Sequence, residues 1–376
     1  MKGMLRVVTV LLLFSSLSAK ADEEILRQEQ KIEDFESQLK EGQCVLTDSK
    51  NTQIAISGGI SAGYFYTNNP GKEATKNRKS KFVLTNALIN LSISPKDYPF
   101  SVNLGLGGTA TPSLVDNPVD SGPQFDIEYA DLSLTPIQNL TLEIGLLQPN
   151  AGYEDTYTFN NKNITVGVVA SQQPYNAYGA RVTYSLNNFD VYGGYYRDRL
   201  DNTEYAIEGY SDVDHSYEFG IGGNIFGFDS TLYYYNINGI RSLVGITLEK
   251  EFENIYLAID ADYWKWDDNA KKFQNIKDNS AYGISLYVSP KINVNEKVEM
   301  PVRLEYVNQG KSKIYVDSED ADNIYTITVT PTYHLTDDIY IRAEGGYVYA
   351  QNGFEDNHGQ RKDSKYYVSF EVGYAF

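Results

Sequence analysis

Charged side chains stand at alternate positions inside otherwise apolar stretches of this 376-residue chain. Arg303 and Glu305 interleave with Val302, Leu304 and Tyr306, and Arg342 and Glu344 with Ile341, Ala343 and Gly345. Glu143 sits among Leu140, Leu142, Ile144 and Leu146, Arg181 between Ala180 and Val182, and Glu371 between Phe370 and Val372. A strand sends alternate side chains to opposite faces, so one face here is greasy and the other ionic. A small closed sheet fills its interior with apolar groups, whereas a wide one can line a water-filled interior with Arg, Asp and Glu. Acids facing bases across such an interior produce a transverse field that sorts solutes by charge and dipole. For each of these residues, an ion pair that merely stiffens the wall is an equal alternative.

Catalytic chemistry finds no comparable support. His215, His334 and His358 are dispersed, without metal-ligand spacing. Cys44 has no neighbouring histidine to activate it. Gly105-Leu-Gly107-Gly108 lacks the strand-to-helix setting of a phosphate loop. The acidic run Asp317-Ser-Glu-Asp-Ala-Asp322 lacks the spaced ligands and glycine of a calcium loop and reads as a solvated surface segment. The expectation is a non-enzyme without cofactor or metal.

The first 21 residues read as a signal peptide. Lys2 and Arg6 precede the apolar run Val7 to Phe14, and Ala19-x-Ala21 suits cleavage before Asp22. This stretch holds three basic and no acidic side chains, so removing it leaves 29 Lys and Arg against 50 Asp and Glu, a charge of −21. Such a surface excludes nucleic acid as a partner. No run approaches the ~20 apolar residues of a membrane-spanning helix. Residues 22–41 suggest a periplasmic helix with Ile25, Ile32 and Leu39 at heptad spacing and Phe35 between them, stopped by Gly42. A coiled-coil collar and a solvated or barrel-packed helix are equally compatible with it. The domains expected are the signal peptide 1–21, a helix and linker 22–52, and a β-domain 53–376.

From Gln53 onward the period is two. Strands are expected at 54–66, 81–93, 98–107, 123–134, 140–147, 176–186, 189–199, 215–226, 229–238, 241–250, 255–264, 280–289, 299–309, 323–333, 338–349 and 364–376. Residues 163–169 offer another, and the total becomes fourteen or eighteen if a hairpin is skipped or added. Short turns alternate with longer polar connections at 67–80, 108–122, 148–175, 200–214, 265–279, 310–322 and 350–363, with Asn238-Gly239 the short exception. That parity, with an even strand number and a terminal Tyr366-x-Val368-x-Phe370-x-Val372-x-Tyr374-x-Phe376, describes an all-β transmembrane antiparallel barrel of about sixteen strands. A β-bulge is expected near Ala130 and Asp131, where the apolar parity changes. Tyr64, Tyr66, Tyr98, Tyr196, Tyr233, Tyr235, Tyr349 and Tyr374 lie near strand ends and suit an aromatic girdle.

The run Tyr129-Ala-Asp-Leu-Ser-Leu, then Leu142 to Glu154 with Gly152-Tyr153-Glu154, then Asn160 and Pro174-Tyr175 leading to Gly179 and Arg181, resembles the OmpL-like β-barrel porins, the porin-2 group. The likeness covers about 60 residues and departs at Leu147-Gln148, where a lysine-phenylalanine-like pair is expected. It implies an outer-membrane pore passing small hydrophilic solutes and ions. The acidic excess adds a mild cation preference. The alternative is a surface structural or adhesive barrel without an open pore. In general porins the third extracellular loop, here 148–175, folds inward, so Glu154, Asp155, Asn160, Asn161 and Lys162 are the constriction candidates. Glu143, Arg181, Arg303, Glu305, Arg342, Glu344 and Glu371 are the wall candidates, and Phe376 the assembly signal. Expected partners are outer-membrane lipids, the barrel assembly machinery, small solutes and, as an open option, two further copies in a homotrimer.

Overall fold

The computed structural model describes residues 44–49, 52–69, 79–110, 112–115, 125–197, 215–292, 297–356 and 358–376. The signal peptide and the helix expected at 22–41 lie outside them. A short strand, β1 (Cys44–Ser49), precedes the barrel. The first half of the barrel comprises β2 (Thr52–Thr67), β3 (Ser80–Pro95), β4 (Phe100–Thr109), β5 (Asp126–Ile137), β6 (Leu140–Leu147), β7 (Ala177–Leu186), β8 (Phe189–Arg197) and β9 (Ser216–Ile225). The second half comprises β10 (Phe228–Ile237), β11 (Arg241–Glu251), β12 (Ile255–Trp266), β13 (Ser280–Ile292), β14 (Val298–Glu299), β15 (Val302–Asn308), β16 (Asn323–Val329), β17 (Thr332–His334), β18 (Ile339–Glu355) and β19 (Arg361–Ala375). β14 with β15, and β16 with β17, are each one interrupted strand, because β13 pairs with both parts of the former and β18 with both parts of the latter. The result is a closed antiparallel barrel of 16 strands.

Closure runs from Tyr367 opposite Thr67 to Ala375 opposite Gly59. Phe376 finishes it with reciprocal backbone bonds to Gly58 of 2.8 and 2.9 Å. β1 then takes up the same edge of β2 beyond the closing strand, with Cys44 opposite Ile56 and Ser49 opposite Thr52. The chain's early segment thus continues the line of its last strand.

Side chains sort by parity. Val368 is 54% exposed and Phe370 47%, on the outer face, while Ser369 and Glu371 between and beyond them are buried inside. Tyr263, Tyr282, Tyr306, Tyr325, Tyr349 and Tyr366 form an outer aromatic row, with Tyr306 and Tyr325 ring centroids 5.2 Å apart. Tyr64, Tyr98 and Tyr374 also face outward, but Tyr196, Tyr233 and Tyr235 point inward and are buried, so they leave the girdle set. The reason is parity: on β8 Tyr196 shares the face of inward Tyr192, and on β10 Tyr233 and Tyr235 alternate with outward Leu232.

Inward tyrosines also explain why this chain holds 32 Tyr and 30 Gly. Tyr367 stands directly opposite Gly346, Tyr340 opposite Gly373, and Tyr233 opposite Gly245. A Cβ on Gly346 would lie 2.1 Å from the Tyr367 ring, so each ring lies flat across a neighbour that has no side chain.

Four local expectations change. The bulge falls at Glu128, since Tyr129 pairs with Gly105 and Ile127 with Leu106. Residues 163–169 are not a strand; their ladder contact is one parallel bridge, Ser113 to Val166. The connection expected at 350–363 is mostly strand, because β18 runs to Glu355 and β19 starts at Arg361. The tight turn after β9 is Phe226-Gly227, both with positive φ as a two-residue hairpin requires.

Candidate functional site

Residues 148–176 leave the wall after β6 and return at β7, and the stretch between them lies inside the barrel. A loop withdrawn from water must satisfy its backbone groups elsewhere, and the inward charges of the wall do this. Glu344 accepts from the amides of Ile164 (2.6 Å) and Thr165 (3.1 Å). Glu305 accepts from the amide of Val169 (3.1 Å). Arg342 donates to the carbonyls of Asn161 (2.8 Å) and Thr158 (2.7 Å) while pairing with Glu371 at 2.6 Å. Arg303 donates to the Thr165 carbonyl at 2.6 Å and pairs with Glu154. On the opposite arc, the Asn150 amide donates to Glu218, and Gln173 Nε2 donates to both Asp260 (2.8 Å) and Asp262 (2.9 Å).

The wall residues named from the sequence therefore divide. Arg303, Glu305, Arg342, Glu344 and Glu371 face inward but are buried beneath the loop, where they hold it. Glu143 and Arg181 remain partly open and form a two-bond pair at 2.7 and 2.9 Å. Asp131 and Asn103 continue that polar surface, with Asn103 Nδ2 donating to Asp131 at 2.9 Å and Ser92 donating to Asn103 at 2.9 Å. The row crosses β3 to β7 half-buried, and at its β7 end Arg181 also donates to the Gln148 carbonyl at the root of the loop at 3.0 Å.

The loop candidates divide in the same way. The Glu154 side chain is 2% exposed and turned to the wall, accepting from Arg303 and from the Gly167 amide at 2.7 Å. Burial raises its carboxyl above the ordinary range, and the Arg303 guanidinium opposes that shift. Asp155, Asn160 and Asn161 bind one another: Asn160 Nδ2 donates to Asp155 at 2.6 Å, and Asn161 bonds both the amide and the carbonyl of Asp155. Lys162 reaches Glu299 of β14 at 2.8 Å. These four line a cavity of about 550 Å³ with Glu249, Glu251, Tyr256, Lys291 and Glu299. A second cavity of about 550 Å³ lies against β2 to β5, lined by Ser92, Asn103, Tyr129 and Asp131 among others.

Residues 53–376 match the family described as "Putative beta-barrel porin-2, OmpL-like". The chain belongs to this family. The porin's fold is also that of solved outer-membrane proteins. Outer-membrane expressed OmpT of Vibrio cholerae is 11% identical with a TM-score of 0.59, over 88% of this chain and 100% of that one. The outer-membrane channel DcaP of Acinetobacter baumannii is 11% identical with a TM-score of 0.57, over 88% and 99%. The anion-selective porin from Comamonas acidovorans is 12% identical with a TM-score of 0.57, over 86% and 100%. OmpT also has a structure in a trimer form, 11% identical with a TM-score of 0.56, over 86% and 99%. Among curated proteins no sequence matches significantly. The porin resides in the outer membrane.

Sequence reasoning missed the clasps Glu218, Gln173, Asp260 and Asp262 as a set. The two aspartates carried a usable signal, since both stand on the inner parity of β12. Gln173 carried none, because a loop has no periodicity to read.

Proposed function

We propose that this outer-membrane porin conducts small hydrophilic solutes along one side of its lumen, between loop 148–175 and the wall of β3 to β7, with a mild preference for cations. The observation that carries this reading is the partly open row Ser92, Asn103, Asp131, Glu143 and Arg181, set against the buried charges on the other arc. Hydrated ions need polar walls, and the row supplies a continuous one. Tyr129 and Asp131 of that wall line one cavity and Asp155 of the loop borders the other, so wall and loop both present polar groups to the route. Along that route Asp131, Glu143 and Asp155 outnumber Arg181 and Lys162, so the local field favours cations. The anion preference printed for the Comamonas porin is not carried over. A homotrimer fits the trimer form of OmpT as an arrangement for this chain.

Cysteine accessibility tests the route. In a Cys44→Ser background, Asp131→Cys should lose current when a charged thiol reagent is added to the reconstituted channel. Ser285→Cys, whose position is fully buried behind the loop, should not. Block at position 285 but not at 131 would place the path on the other arc.

A further inference from the structure

The connection between β15 and β16, residues 309–322, is acidic and polar in sequence, yet its middle is not in solvent. Ile314, Tyr315 and Val316 are buried inside the barrel and join one apolar cluster with Val168 and Val169 of loop 148–175 and with Ile240, Leu243 and Trp264 of the wall region. The two loops meet over Gly283 of β13. A Cβ there would lie 2.8 Å from Val169 Cγ2 and 3.2 Å from the Tyr315 hydroxyl, so the bare glycine makes room for both.

The inward bend is built rather than incidental. Gln309 is fully buried, and its Oε1 accepts from the amides of Tyr315 and Val316 at 3.0 Å each while its Nε2 donates to the Val316 carbonyl at 2.9 Å. Trp266 Nε1 donates to the Ser312 carbonyl at 2.9 Å, and Ser318 Oγ donates to the Asn352 carbonyl at 2.9 Å. Charges keep to the outer side: Lys311 pairs with Asp322 at 2.7 Å, and Lys277 with Glu319 at 2.5 Å. The loop is thus apolar where it enters the lumen and ionic at the rim. An apolar constriction excludes ions by excluding their water.

We infer that loop 309–322 is a second internal plug, which seats on Val169 and closes the long-loop end of the β8 to β18 side of the lumen, above the cavity lined by Glu249 and Glu299, leaving the polar route on the other side. This rests on the porin reading and names the element that sets the channel's cross-section. The loop's ends already adjoin, since the Gln309 amide donates to the Asp322 carbonyl at 2.9 Å. Residues 311–321 can therefore be replaced by a short glycine linker without spanning a gap. Folded deletion variant, identified by its mobility shift on boiling, should show single-channel conductance raised on the order of twofold or more over native protein in planar bilayers. Equal conductance in the two folded proteins would overturn the plug. Absence of conductance in both would overturn the plug and the porin reading together. A closed native protein that conducts after the deletion would support the plug. Should the deletion fail to reach the outer membrane, Gln309→Ala decides in its place, because it frees the loop without shortening any strand. That variant should conduct more than native protein, and an unchanged conductance would reject the inference.

Discussion

Glu154 of the inner loop and Arg303 of β15 meet at 2.5 Å with both side chains withdrawn from solvent. Arg303 Nη1 also holds the Thr165 carbonyl, so one guanidinium fastens both limbs of the loop. Removing one partner of a buried pair strands the other charge and typically costs about 3–5 kcal/mol. Glu154→Gln should accordingly loosen the loop, adding noise to the current and lowering the temperature at which the barrel unfolds in detergent. Arg303→Met with Glu154→Gln should lose more than the single variant, because buried Glu305, 3.5 Å from the guanidinium, is then left without a cation. A quiet current and unchanged melting in Glu154→Gln would show that the pair does not hold the loop.

Adjacent glycines on β18 should behave oppositely. Gly346 faces inward beneath the Tyr367 ring, whereas nothing lies within 4 Å of a Cβ on Gly345. Gly346→Ala should reduce the amount of folded barrel in the outer membrane, and Gly345→Ala should leave it unchanged. Comparing boiled and unboiled membrane fractions decides this. Equal folding of the two variants would dismiss the cross-strand fit of Tyr and Gly.

Those faces are legible in the sequence, because a strand's period of two ties every residue to a side once one is placed. Val368, Phe370 and Val372 outside and Glu371 inside follow from that rule, as do Asp260 and Asp262. The rule does not say what lies beyond the inner face. Glu154 and Asp155 are neighbours in a loop, and one is sealed against Arg303 while the other borders the open cavity. Residues 163–169 read like a strand because Ile164, Val166 and Val168 are apolar. Their burial comes from packing inside the barrel rather than from lipid on one face. Tyr315 was hidden for a similar reason, lying in a loop whose flanking charges are those of its rim.

The seam gives a further test. Cys44 is opposite Ile56 in the register of β1 with β2. Facing positions of an antiparallel pair have Cα atoms about 4.5–5.5 Å apart, within disulfide range. Ile56→Cys should therefore form a disulfide with Cys44 under oxidising conditions, seen as a change in gel mobility reversed by reductant. Free thiols at both positions in the folded protein would mean that β1 does not lie there.

Phe376 joins that seam through both of its backbone bonds to Gly58, and its ring stacks on Tyr374 with centroids 5.5 Å apart. Deleting it removes the last closing contacts, and outer-membrane abundance should fall several-fold. Normal abundance of the truncated chain would remove Phe376 from assembly.

The reversal potential across a KCl gradient tests the central claim most directly, measured for native protein and for Asp131→Asn with Asp155→Asn. A cation-preferring path along β3 to β7 predicts a potential of the sign for K⁺ permeation in native protein, moving toward zero in the double variant. A potential of the Cl⁻ sign, or one that the two substitutions leave unmoved, would contradict it.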